Sequence, residues 1–219
     1  MKGDEITVYD ETIKIADEIL SQIHPRIVAG QKRFTISIAG ESGTGKTVLA
    51  SSMQQALQVR NIKSVILSQD DYFVLPPLSN DRQRREDPDW LGPHVEVRLD
   101  LMDQNLRDAH EGKPCIEKPL VDYYANAIEK EVIPLAGIKV VIVEGTYTSL
   151  LKHVDLRIFF EKSYQDTLEN RLTRNRGNEA GDPFIENVLA TEHKIIAGHR
   201  SLADFIVTKD NMVINTYDA

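Results

Sequence analysis

Five short apolar runs punctuate the chain: FTISIAG at 34–40, SVILSQ at 64–69, VVIVEG at 140–145, LRIFFE at 156–161 and DFIVT at 204–208. Runs of this length, rich in Val, Ile and Phe and bounded by glycine or polar residues, read as buried strands. Between them the apolar positions recur at helical spacing. Ile13, Ala16, Ile19, Leu20 and Ile23 share one face over 9–27, and Leu99, Met102 and Leu106 do so over 98–110. KTVLASSMQQALQV at 46–59, the segment 164–174 and the segment 183–199 read the same way. Strands alternating with amphipathic helices predict an α/β fold, with a five-stranded parallel sheet flanked by helices on both faces. Two stretches break the alternation. Residues 70–97 are polar and contain prolines, which predicts a long functional loop, and 112–137 predict an irregular excursion or short hairpin.

Composition narrows the class. The chain has 219 residues, the size of one domain with room for a lid or small insertion. Hydrophobic residues make up 41% and charged residues 27%, an ordinary globular mixture. The formal net charge of −8 disfavours nucleic acid and anionic membranes as partners, because the long-range field repels polyanions. It does not oppose a small phosphate ligand at a locally positive site. The single cysteine, Cys115, excludes an internal disulfide and a Cys-based zinc cluster, and suits a reducing cytoplasm. The acidic N-terminal stretch lacks the pattern of a secretory signal, and no stretch approaches the ~20 apolar residues of a membrane span. A cytoplasmic protein is expected; whether it forms a homo-oligomer stays open.

The sharpest chemical signal is GESGTGKT at 40–47, which matches G-x-x-x-x-G-K-[ST] and lies between an expected strand and an expected helix. Gly40, Gly43 and Gly45 allow backbone angles and close approaches that a side chain would block. Successive N–H groups then form an anion nest at the positive end of the next helix. In this reading Gly40, Glu41, Ser42, Gly43, Thr44, Gly45, Lys46, Thr47 and Val48 hold a nucleoside triphosphate. Lys46 neutralises its outer phosphates and Thr47 ligates Mg²⁺.

Three further places bear on what is done with the triphosphate. LSQDDYF at 67–73 puts two carboxylates where the second strand ends, at the ligand-binding edge of a parallel sheet. Transfer to a hydroxyl needs a carboxylate to orient the acceptor and take its proton, and Asp70 is assigned that role, with Asp71 its competitor. Tyr72, next in the run, is assigned to the acceptor side with Asp70. Glu144 ends a very apolar strand, where a second metal-side carboxylate belongs, so Thr47, Asp70 and Glu144 form the expected metal group. Arg171, Arg174 and Arg176 cluster before the polar stretch GNEAGD, as in a lid that closes over phosphates during transfer. Arg171 and Arg174 are assigned to catalysis with Lys46, and Arg176 to the nucleotide.

In order, GESGTGKT, LSQDDYF, EDPDW, VVIVEG, DTLENRLTRNRG and ADFIV resemble the uridine kinase and phosphoribulokinase family of P-loop kinases, over about Phe34 to Val207. The resemblance implies one P-loop kinase domain over 1–219, with an N-terminal helix at 1–30, an acceptor region at 70–137 and an arginine-bearing lid at 171–182. It implies ATP with Mg²⁺ and a small-molecule acceptor with a hydroxyl, a nucleoside such as uridine first. Asp89 in EDPDW resembles the residue that binds the acceptor's sugar hydroxyls. In the region that cradles the base, PLVDYYANAI departs from the family pattern: Val121 stands in place of an aromatic and Asn126 in place of a histidine. Tyr123 and Asn126 are assigned to the acceptor, with nicotinamide riboside, pantothenate, glycerate or another sugar-like alcohol left open. An ATPase or a nucleotide-dependent module without an acceptor is the competing class; the Asp70–Asp71 pair favours transfer. A GTPase switch is disfavoured, because DWLG at 89–92 follows a polar run and TKDN at 208–211 lacks the required spacing.

Overall fold

A computed structural model describes residues 6–169, 171 and 182–217. Its sheet has six strands in the order β2-β5-β1-β6-β7-β8. They are β1 (Phe34–Ala39), β2 (Ser64–Ser68), β5 (Val140–Gly145), β6 (Leu156–Phe160), β7 (Phe205–Val207) and β8 (Val213–Asn215). The five expected strands run parallel, and β8 joins β7 antiparallel at one edge. β3 (Cys115–Asp122) and β4 (Ala127–Pro134) form a separate antiparallel hairpin, longer and more regular than the excursion expected there.

Every residue of β5 is buried, so this strand shows how the two faces are covered. Val140 and Ile142 point to one side and pack with helices α1 (Asp10–Ala29) and α2 (Lys46–Val59). Val141 and Val143 point to the other and meet Leu99, Met102 and Leu106 of α4 (Leu99–His110). Side chains alternate across a strand, so an unbroken apolar run is what a doubly covered strand requires.

The stretch expected as a loop at 70–97 contains a 3₁₀ turn (Gln69–Tyr72), helix α3 (Pro77–Glu86) and a second 3₁₀ turn (Pro88–Trp90). Helix α3, PLSNDRQRRE, escapes the apolar pattern because Asn80 is its one buried residue. Pro77 occupies its first position, and the Asn126 carboxamide accepts the Leu78 N–H at 2.9 Å while donating to Ser79 Oγ at 3.1 Å. Tertiary hydrogen bonds thus supply what an amphipathic face would otherwise give. Helix α5 (Pro183–Ile196) follows the expected 183–199 and then tightens into a 3₁₀ turn, Ala197–Leu202. Of the helix expected over 164–174, residues 164–167 form a turn and 168, 169 and 171 are helical, while 170 and 172–174, Arg174 included, lie outside the described residues, as does Arg176. No helix among the described residues is long and apolar enough to cross a membrane.

Candidate active site

The carboxyl ends of β1, β2 and β5 lie side by side. Ser68 of β2 is in register with Glu144 of β5, and Ala39 of β1 with Gly145. Residues far apart in sequence are thereby collected at one edge, where parallel sheets bind ligands.

The loop after β1 wraps tightly. Gly40 sits at φ 149°, and a Cβ there would lie 2.8 Å from the Phe160 Cβ on β6. Gly45, at φ 100°, opens α2 in the left-handed region, with no side chain capping the helix and no acidic residue in its first turn. The positive end of α2 therefore faces the loop, as an anion-binding nest needs. The Thr44 hydroxyl donates to the Glu41 carbonyl at 2.9 Å, and the buried Lys46 ammonium donates to the same carbonyl at 2.7 Å. Lys46 arches over the loop rather than into solvent.

Thr47 Oγ1 donates to Glu144 Oε2 at 3.2 Å, and Ser68 Oγ donates to Glu144 Oε1 at 2.5 Å. Burial pushes the Glu144 carboxyl above the usual range, and the neighbouring Asp70 charge pushes it further; Ser68, Lys46 and Thr47 pull it back. The expected metal group, Thr47, Asp70 and Glu144, is thus brought together. Two crowded carboxylates with hydroxyls beside them are a hard-oxygen donor set that fits Mg²⁺, which typically takes one or two carboxylates and completes its shell with phosphates and water.

The 3₁₀ turn after β2 treats its four side chains unequally. Gln69, Asp71 and Tyr72 are 2%, 3% and 0% exposed, and Asp70 is half-buried. The Gln69 carboxamide accepts the Tyr147 N–H at 2.8 Å. Asp71 pairs with Lys118 at 2.7 Å and accepts the Val121 N–H at 3.0 Å. Tyr72, expected at the acceptor, is instead packed in the core, where its hydroxyl accepts from Asn105 at 2.8 Å.

On the acceptor side the correspondence is partial. Asp89 is exposed on its 3₁₀ turn, with its N–H held by Asp87 at 3.0 Å. Tyr123 is half-buried near the hairpin tip, edge-on to the exposed Tyr124 with ring centroids 6.3 Å apart. The Asn126 carboxamide is engaged by α3, so its contacts in this structure are with the protein rather than presented to an acceptor.

Three charged residues that the sequence pattern did not single out converge here. Glu96 is fully buried and accepts from Arg84 Nε at 2.7 Å, Asn80 at 3.1 Å and the Gly92 N–H at 3.2 Å. Trp90 Nε1 donates to Asn80 at 2.8 Å, extending the network. Arg84 also reaches Glu192 on α5 at 3.5 Å. Burial pushes the Glu192 carboxyl up to about 7; Arg84 and Lys46 oppose the shift, while Glu96 and Glu41 add to it. Glu192 therefore feels both the α3 network and the phosphate loop. The polar stretch 80–96 carried the only sequence signal, and it read as loop because its charges pair over long separations.

His193 of α5 touches the phosphate loop. Its Nδ1 lies 2.6 Å from Glu41 Oε1, while Glu41 Oε2 accepts the Tyr164 N–H at 2.6 Å. Arg171, an expected lid arginine, lies against Gly43. Its guanidinium reaches Glu186 and the Tyr164 carbonyl, each at 3.3 Å.

Against known families, residues 35–209 match the model of the phosphoribulokinase/uridine kinase family. The bifunctional alpha-galactosidase/sucrose kinase AgaSK of Mediterraneibacter gnavus is 35% identical over 194 residues, covering 84% of this chain but 21% of that protein. The uridine kinase of Oceanobacillus iheyensis is 27% identical over 187 residues, covering 81% of this chain and 87% of its own. A possible uridine kinase from Bacillus stearothermophilus shares the fold, with a TM-score of 0.61 at 17% identity over 88% of this chain and 97% of that one.

Proposed function

The chain belongs to the phosphoribulokinase/uridine kinase family of P-loop kinases acting on small molecules, and from that premise we propose that it transfers the γ-phosphate of ATP to a hydroxyl of a carbohydrate. The observation that carries the transfer reading is the turn Gln69–Tyr72, in which Asp70 is the one half-buried side chain and its charge acts on Glu144, which also accepts from Thr47 and feels Lys46. Asp70 is the general base. It holds the acceptor O–H, and its carboxylate takes the proton as the oxygen bonds to the γ-phosphorus and the bond to the β–γ bridging oxygen breaks. Lys46 and the amides at the start of α2 cradle the phosphates. Thr47, Glu144 and Asp70 would hold Mg²⁺, which when bound would offset the charge on the phosphates. Arg171 belongs to the same apparatus, since it already packs on the phosphate loop.

Two observations favour a carbohydrate over a nucleoside. Asn126 is engaged by α3, and the hairpin offers Val121, itself buried, where the family resemblance implies an aromatic. In contrast, Arg84 and Glu192, whose side chains are 16% and 12% exposed, bring a charged donor and an acceptor together, and Glu192 feels the Lys46 charge, a pair suited to vicinal hydroxyls. The match to a protein named for sucrose kinase activity agrees with this choice. The test is ADP release with sucrose, uridine, nicotinamide riboside, pantothenate and D-glycerate at matched concentrations. A saccharide is expected to give a kcat/KM at least ~10-fold above that of uridine, about 1.4 kcal/mol of transition-state discrimination. Preference for uridine would overturn the carbohydrate assignment while leaving the kinase assignment intact.

A further inference from the structure

The turn Gln69–Tyr72 is four residues long, yet it must hold Asp70 to within a fraction of an ångström for general-base catalysis. Each of its other side chains is fixed by a different element. Gln69 is fixed by the chain just after β5, through the Tyr147 N–H. Tyr72 is fixed by α4, through Asn105. Asp71 is fixed by the β3–β4 hairpin, through Lys118 and the Val121 N–H. Of these clamps, the last is the ionic one, and it joins the turn to an element outside the main sheet.

The Lys118 end is built rather than incidental. Its side chain is 4% exposed, as is that of Asp71. Its ammonium reaches Asp71 at 2.7 Å, Glu131 on the paired strand at 3.0 Å and the Pro119 carbonyl at 3.0 Å. A lysine buried this deeply is costly to desolvate and persists where carboxylates surround it. Ordinary strand packing would place an aliphatic side chain at this position. An aliphatic residue would remove this ion pair from Asp71.

Resting on the reading of Asp70 as general base, we propose that Asp71 and Lys118 are a positioning pair that couples the β3–β4 hairpin to the base. Neither residue takes the acceptor's proton. The pair fixes the backbone from which Asp70 projects, so movement of the hairpin is transmitted to the catalytic carboxylate through this buried junction. Phosphoryl transfer depends on the pair, and ATP binding, which uses the loop after β1 on another strand, does not.

The test compares wild type with Asp71→Asn, Lys118→Met, the double variant, Lys118→Arg and Asp70→Asn. ATP turnover is followed with water alone and with sucrose added, alongside ATP affinity and thermal midpoint. Asn is close in shape to Asp, and Glu131 still partners Lys118 in Asp71→Asn, so that variant keeps the fold testable. Expected are a loss of at least ~10-fold in kcat for Asp71→Asn and for Lys118→Met, an ATP dissociation constant within twofold, and a double variant no worse than the poorer of these two. Lys118→Arg restores at least half of wild-type turnover, which a mere volume requirement for lysine would not allow. If Asp70→Asn loses turnover while folded Asp71→Asn and Lys118→Met keep it within twofold, the pair does not position the base. Losses that multiply in the double variant, or that fall on ATP affinity, overturn it equally. If Asp70→Asn itself keeps full turnover, the base assignment fails and the pair has nothing to position.

Discussion

Asp70 and Asp71 are adjacent and chemically alike, and the turn that carries them gives them different surroundings by burial. Asp71 is anchored to Lys118, and Asp70 adjoins the Glu144–Thr47 group. The sequence made both carboxylates visible but not the division between them, because Lys118 lies 47 residues away. Glu192 was hidden for a related reason: its significance comes from Arg84, Glu96, Lys46 and Glu41, which reach it from separate elements. Its burial has a consequence for pH. The folded protein holds the Glu192 proton up to about 7, against an ordinary value of 4.5, so between these limits the folded state binds the extra proton. Stability therefore falls as pH rises through that window, by an amount on the order of 1–3 kcal/mol after allowance for relaxation. Glu192→Gln removes the ionisation. Its thermal midpoint relative to wild type should be higher at pH 8 than at pH 5 by several degrees, at ~2–4 °C per kcal/mol. Equal differences at the two pH values would show that Glu192 ionises normally.

At the scale of elements, the sequence disclosed what apolar period reveals and little else. The five parallel strands and the helices at 10–29, 46–59, 99–110 and 183–196 each bury a face, so their pattern is written in side chains. Helix α3 buries Asn80 alone, the hairpin carries charges along both strands, and β8 is three residues of edge strand. Such elements are held by long-range polar contacts that no local window contains. The junction at Asn126 is the sharpest case. This residue turns the hairpin at φ 48° and caps α3 with the same side chain. Asn126→Gly keeps the backbone conformation and loses the cap, which is worth about 1 kcal/mol, or ~2–4 °C in midpoint. Asn126→Ala adds left-handed strain of about 1 kcal/mol or more and should be the less stable of the two. Differential scanning calorimetry of both variants checks this, and an alanine variant as stable as wild type would mean that neither cap nor conformation matters.

For the whole molecule, the net charge of −8 coexists with an anion site because a few of the 26 lysines and arginines are gathered at one loop. Lys46 and the start of α2 face one loop, and Arg171 packs against it. Part of the acidity is local too: Asp70, Glu144, Glu96 and Glu192 gather around the same sheet edge and against helices α3 and α5. That arrangement suits a cation-bound triphosphate and a hydroxylated acceptor better than it suits a polyanion. The most direct test of the account is phosphorus NMR of the reaction of Mg²⁺-ATP with sucrose, run with wild type, Lys46→Ala and Asp70→Asn. A new phosphomonoester on the sugar is expected with wild type, none with Lys46→Ala, and formation at least ~100-fold slower with Asp70→Asn, the scale of a lost general base. Release of inorganic phosphate alone, at a rate indifferent to sucrose and to every other small-molecule alcohol supplied, would contradict this expectation.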